Sequence, residues 1–215
     1  FLAWTTTPWT LISNVALAVH PDELYVKIRY NNQILILAEE RANSLLKGQN
    51  FEILEGYKGK ELEGKEYEPL FDYSDTDKKG WYIVLADFVT MEDGTGIVHI
   101  APAFGEDDYN VGRKYDLPVV QLVKMDGTFP DVVEHWKGEF VKDADPKIIK
   151  FLESCGKLEG VHSYKHEYPF CWRCDSPLLY YAMESWFIAM TQVQDSLIKN
   201  NNNINWYPEH LQQGR

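Results

Sequence analysis

The 215-residue chain is 45% hydrophobic, enough for a full core, and its length suits one large domain with an appendage. A net charge of −12 argues against autonomous nucleic-acid binding, which relies on basic patches to neutralise phosphates. There is no run of about 18 apolar residues, so no helical membrane span is expected, and the three cysteines, Cys155, Cys171 and Cys174, form no disulfide framework and suit a reducing, intracellular setting.

The chain does not begin with Met, and Phe1 to Trp4 reads as a strand already under way, which leads us to expect a fragment of a longer protein. Thr5-Thr6-Thr7-Pro8 follows as an extended segment, because proline pushes the preceding residue out of the helical region. Leu24 to Tyr30 and Gln33 to Leu37 read as strands joined in a hairpin by Asn31-Asn32. Glu39 to Lys47 fits a short helix stopped by Gly48, and Phe51 to Gly56 another strand. Glu55 to Lys65 is rich in Gly, Lys and Glu and reads as exposed turns. Trp81 to Ala86 and Gly96 to Ala101 read as buried strands, Glu106 to Tyr115 as a helix with acids in its first turn, and Pro118 to Val123 as a returning strand. A helix is expected from Pro146, in its first turn, to Cys155, with Gly156 after its end. Short strands with interspersed helices predict a mainly β fold with peripheral helices and a β-barrel-like core. The texture changes near Tyr164, giving a boundary between 1–163 and 164–215. The second part opens with a turn-rich knuckle, Tyr168 to Asp175, and an apolar run from Pro177 to Ala189. A helix from Thr191 to Lys199 and a polar linker, Asn200 to Asn203, follow.

Two segments carry donors, acceptors and charge rather than packing. In the first, three threonines in extended backbone send hydroxyls to both sides, so one or two of them face a common cleft. In the second, Gly94-Thr95-Gly96-Ile97-Val98-His99-Ile100-Ala101-Pro102-Ala103-Phe104-Gly105-Glu106-Asp107-Asp108-Tyr109, alternation puts Ile97, His99 and Ala101 on one strand face. His99 thus interrupts an apolar face, either as a satisfied structural residue or as the wall of a pocket. No Ser or Cys nucleophile stands beside it, which favours a wall over a general base. Glu106, Asp107 and Asp108 stand at a helix start, where capping and dipole pairing, which Glu106 and Asp107 can satisfy, are the ordinary roles of acids. Cys171-Trp172-Arg173-Cys174 is half of a zinc motif. Structural zinc takes four ligands and only Cys155 remains, so no zinc is expected at Cys171 and Cys174 here.

Together with Tyr168-Pro169-Phe170-Cys171-Trp172-Arg173-Cys174-Asp175 and Ser185-Trp186-Phe187, these segments resemble the editing domains inserted in the class I valyl-, isoleucyl- and leucyl-tRNA synthetases. The isoleucyl enzymes fit best, because Thr-Thr-Thr-Pro-Trp-Thr and Cys-Trp-Arg-Cys occur together. Residues 60–79 and 142–145 look eukaryote-like rather than bacterial. The resemblance implies a hydrolase that removes valine from mischarged isoleucine tRNA, with valyl-adenylate as a further candidate substrate. It assigns Thr7, Asn14 and Asp108 to catalysis, with Asp108 also on the substrate's ammonium. It assigns Thr5, Thr6, Trp9 and His99 to substrate binding, Trp9 near the terminal adenosine or in the core. It makes 164–215 the return toward the catalytic core of a cytoplasmic synthetase whose ATP and Mg sites lie elsewhere, and this fragment needs no cofactor. The implied partners are the valine-bearing 3′ end of the tRNA and the rest of the synthetase, with no membrane, and the fragment is expected to be monomeric. Three other readings stay open: the editing domain of a valyl or leucyl enzyme, a zinc hydrolase built on Cys171, Cys174 and a His, and a non-catalytic β-domain that binds a partner or a tRNA end.

Overall fold

A computed structural model describes residues 1–165 and 168–212. They form two compact units, Phe1–Ala182 and Met183–Arg215. The first unit thus extends past the change of texture near Tyr164. Within that unit, the Tyr164 ring meets Trp4 edge-on at 5.0 Å, and the Ala182 amide donates to the Ala103 carbonyl at 2.8 Å.

Two three-stranded sheets lie at the centre of the first unit. One has the order β5 (Tyr82–Leu85), β1 (Ala16–Val19), β6 (Ile97–Ile100), with β1 parallel to β5 and antiparallel to β6. The other has the order β3 (Gln33–Ala38), β2 (Leu24–Tyr30), β4 (Glu52–Lys58), all antiparallel. Among the described residues neither sheet closes into a barrel. The first sheet is buried on both faces, as its apolar runs require. Ala16, Ala18, Val84 and Ile100 join the main core, while Leu17, Val19, Ile83 and Ile97 join a second cluster with Tyr25 and Leu62.

The hairpin forms as its Asn31-Asn32 turn demands, with φ of 46° and 61°, a left-handed pair that asparagine tolerates. Helix α1 (Glu39–Leu45) ends close to Gly48, whose φ is +82°. Three expectations are corrected. The stretch expected as turns continues β4 to Lys58 and then forms a short helix, α2 (Gly59–Leu62), because Leu62 is fully buried. Residues 118–123 pair with no strand, yet Leu117, Val120, Leu122 and Val123 are buried, so the segment is held by its side chains. Phe1–Trp4 makes one bridge, Trp4 to Val98, rather than a full strand.

Helix α3 (Glu106–Lys114) runs as expected. Helix α4 (Val141–Ser154) starts five residues before Pro146, which therefore stands inside it. The reason is its apolar stripe: Val141, Ala144, Ile148 and Leu152 are all buried, and the first two fall before the proline. Helix α5 (Met190–Asn202), in the second unit, takes in most of the expected Asn200–Asn203 linker.

Candidate active site

The geometry starts at the outer edge of β6. Trp4 bridges Val98 in parallel, its amide donating to the Ile97 carbonyl at 3.3 Å, so Thr5 comes up beside His99. A turn of 3-10 helix, Pro8–Ser13, begins immediately afterwards. In such a helix residues three apart eclipse, and Thr7 and Thr10 stack with their Oγ1 atoms 3.1 Å apart. The Thr10 hydroxyl also donates to the Thr7 carbonyl at 2.8 Å. His99 Nε2 lies 3.3 Å from Thr5 Oγ1 and 3.1 Å from Thr10 Oγ1. Three hydroxyls and one imidazole edge thus converge.

His99 is 8% exposed, and its Nδ1 is buried without a hydrogen-bond partner among the described residues. Burial lowers its pKa to about 4, so the ring is neutral at pH 7. A neutral ring of such low basicity suits a wall better than a proton acceptor.

Asp108, the third residue of α3, folds back over Gly105, where its Oδ2 would lie 3.0 Å from an added Cβ. The same oxygen accepts the Ala101 amide at 3.2 Å, which ties the carboxylate to the end of β6. Burial, opposed by that amide and aided by the charge of Asp107, raises its pKa to about 6. Oδ1 accepts no hydrogen bond from the described residues.

The other expected residues fall differently. Thr6 is exposed, on the opposite side of the segment from Thr5 and Thr7. Trp9 is only 3% exposed and meets Phe104 edge-on at 5.0 Å, so it packs the core and offers no face for a base to stack on. Asn14 is committed to the scaffold: Nδ2 donates to the Ala16 and Ile100 carbonyls at 2.8 and 3.4 Å, and Oδ1 accepts the Tyr67 hydroxyl at 2.5 Å. None of these bonds joins the threonine–histidine group. Thr10 is the residue that sequence reasoning missed. The signal was present in its spacing of three from Thr7 after a proline that starts a helix.

The turn before β6 explains the glycines of the motif. Gly94 and Gly96 have φ of +64° and +73°, and a Cβ on Gly96 would lie 2.4 Å from the Cβ of Ala38. Arg41 holds this turn through the carbonyls of Gly94, Met91 and Glu92, at 2.8, 3.3 and 2.9 Å.

Cys171 and Cys174 lie on a turn closed by the Cys171 amide to the Ser176 carbonyl at 2.8 Å, and Cys174 Sγ meets Ser176 Oγ at 3.3 Å. Among the described residues no group of three or more His, Cys, Asp or Glu is gathered as metal ligands would be.

Comparison with known proteins shows the family. The family described as the leucyl-tRNA synthetase editing domain matches residues 50–159, more than half of the chain, including His99 and Asp108. Isoleucine–tRNA ligase of Clostridium novyi is 53% identical over 214 residues, which is 100% of this chain and 20% of that protein. The ligase of Bacillus thuringiensis strain Al Hakam is 47% identical over 215 residues, 100% of this chain and 21% of that protein. The chain therefore spans about a fifth of these relatives, and the segments expected to look eukaryote-like align within bacterial sequences. Among solved structures, GlLeuRS-CP1 aligns with a TM-score of 0.58 at 16% identity, covering 76% of this chain and 84% of that one. The editing domain of Plasmodium knowlesi cytosolic leucyl-tRNA synthetase aligns at 0.51 and 16%, covering 84% of each. The chain belongs to the leucyl-tRNA synthetase editing-domain family, in the form that isoleucine–tRNA ligases contain.

Proposed function

We propose that this chain hydrolyses valine wrongly esterified to the 3′ end of isoleucine tRNA, as the editing part of an isoleucine–tRNA ligase. The observation that carries the reading is the Asp108 carboxylate at the end of β6, the strand on which a neutral His99 is ringed by threonine hydroxyls. The need follows from size. A synthetic pocket that admits isoleucine discriminates against one fewer methylene by only about 1–3 kcal/mol, a value for which the isoleucyl enzymes are themselves the standard case. A second pocket that is too small for isoleucine removes the error.

In this reading, Asp108 Oδ1 takes the ammonium of the amino acid in a charge-assisted hydrogen bond and so fixes the ester. His99 bounds the side-chain cavity and refuses the larger isoleucine. The hydroxyls of Thr7 and Thr10, linked at 3.1 Å, hold the attacking water or the developing oxyanion. Water adds to the carbonyl carbon and gives up a proton to solvent, the tetrahedral oxyanion collapses with cleavage of the bond to the ribose oxygen, and that oxygen leaves with a proton from solvent. An activated ester needs no further nucleophile, and the chain requires no metal or cofactor for this step. ATP and Mg would serve the synthetic part of the ligase.

The net charge of −12 supports a chain that receives only the tRNA's end while other parts of the ligase hold its body. Trp186 and Phe187 are almost fully exposed, which supports packing of the Met183–Arg215 unit against the remainder of a cytoplasmic synthetase. Among the described residues no helix is long and apolar enough to cross a membrane.

The test is hydrolysis of valyl-tRNA and isoleucyl-tRNA by the parent ligase and by this chain, with zinc measured on the same sample. Release of valine well ahead of isoleucine, without zinc, is the expected result. No release from either substrate by the ligase would refute the reading.

A further inference from the structure

Asp145 is a buried carboxylate that the proposed chemistry leaves unused. It stands on α4, and its Oδ1 accepts the backbone amide of Trp9, 136 residues away, at 2.8 Å. The placement answers a local need. The 3-10 helix begins at Pro8, which has no N–H, so the Trp9 amide is its first unpaired donor. The residue in capping position is Thr7, a type that ordinarily bonds such a donor itself. Here the Thr7 side chain makes no capping bond, and its hydroxyl meets Thr10 and Thr5 instead, at 3.1 and 3.4 Å. The two observations fit together: a carboxylate from a distant helix caps the turn and leaves the threonine hydroxyl to the pocket.

We propose that Asp145 is a positioning residue of the editing site, a cap supplied by α4 that keeps the Thr7 hydroxyl on Thr10, whose own hydroxyl meets His99. It acts through the Trp9 amide and touches no substrate. The inference rests on the editing reading for its catalytic consequence but not for the cap itself. Without Asp145, the Trp9 amide is left to be capped by its neighbour. Thr7 holds the capping position, and turning its hydroxyl to the amide withdraws it from Thr10. Burial raises the Asp145 pKa to about 6, opposed by the Trp9 amide and by Lys142. The cap therefore has a spectroscopic signature.

The experiment compares wild type, Asp145→Ala and Asp145→Asn in the parent ligase. For Asp145→Ala, single-turnover hydrolysis of valyl-tRNA should fall by about 10- to 100-fold with KM within about twofold, the scale of a small misplacement of reacting groups. Asparagine keeps an acceptor oxygen and should restore the rate to within about threefold of wild type. Independently of hydrolysis, the Trp9 backbone amide in the 15N-labelled chain should titrate near pH 6 in wild type and stay flat in Asp145→Asn. A wild-type rate for Asp145→Ala, or an Asp145→Asn rate as low as alanine's, overturns the proposal. So does a Trp9 amide that ignores both pH and the asparagine change. If wild type hydrolyses neither ester, the editing reading fails while the amide titration still decides the cap.

Discussion

Replacing Asp108 by asparagine separates its charge from its shape. The asparagine oxygen can still accept the Ala101 amide now held at 3.2 Å, so α3 stays docked on the end of β6. What is lost is the negative partner for a substrate ammonium. A hydrogen bond to a charged group is worth about 1.5–3 kcal/mol, which predicts a drop of about 10- to 150-fold in kcat/KM for valyl-tRNA hydrolysis. Stability should move the other way. Burial raises this carboxyl from 3.8 to about 6, so the folded chain holds the proton more readily than the unfolded chain does. Its contribution to stability is therefore greatest below pH 3.8 and declines as pH rises through about 6. Above pH 6 the ionised side chain costs the fold on the order of 3 kcal/mol. Asparagine carries no such cost, so the variant should melt higher than wild type at pH 7.5, with the gap closing toward pH 4. Valyl-tRNA hydrolysis and thermal melts at pH 4.5 and 7.5 check both arms. A wild-type rate of hydrolysis refutes the ammonium contact. A variant that melts lower than wild type at pH 7.5 refutes the account of its burial.

His99→Ala should enlarge the cavity, gain hydrolysis of isoleucyl-tRNA and retain much of that on valyl-tRNA; a parallel fall of about 10²–10⁴ on both would instead mark a general base. Thr10→Val keeps the volume but removes the hydroxyl shared with Thr7 and His99, so hydrolysis should fall about tenfold while the melting temperature moves by only a few degrees. Asn14→Ala removes the acceptor of the Tyr67 hydroxyl and the side-chain donor to the Ala16 and Ile100 carbonyls, the latter still bonded by the Val15 amide, and should cost about 2–4 kcal/mol in a denaturant melt, activity falling only as folded protein is lost; an inactive variant with wild-type stability would return Asn14 to the chemistry. Gly96→Ala meets both a φ of +73° and Ala38 at 2.4 Å, so a loss of more than about 2 kcal/mol is expected, and a wild-type melt would contradict that packing.

Local features of the fold were legible because their signals are local. Two asparagines between alternating strands specify a left-handed turn, and acids followed by Arg113 and Lys114 bracket α3 in the order its dipole favours. The centre of the first sheet was not. Strand β1 is four buried apolar residues, a run too short to show any period, and its parallel partner β5 lies more than sixty residues further on. The start of α4 was missed for a related reason. Proline at 146 is a strong local stop, but burial of Val141 and Ala144 outweighs it.

The candidate site divides along the same line. Thr5, Thr7, His99 and Asp108 could be named through the resemblance of their segments to the editing domains, since residue type alone left each open to an ordinary structural role. Their roles could not be ranked without the contacts. Asn14 looked as functional as Thr7 in sequence, yet its three hydrogen bonds hold two strands together, while Thr10, an ordinary threonine one helical turn past Thr7, shares the His99 nitrogen. Trp9 shows the limit most clearly. Its indole lies in the core with Phe104, and its amide is the atom that matters to the pocket, through an aspartate on a helix 136 residues away. No pattern within a single stretch of sequence encodes that contact. It exists because a proline removes one donor, a threonine declines to cap the next, and tertiary packing brings a carboxylate to the amide left over.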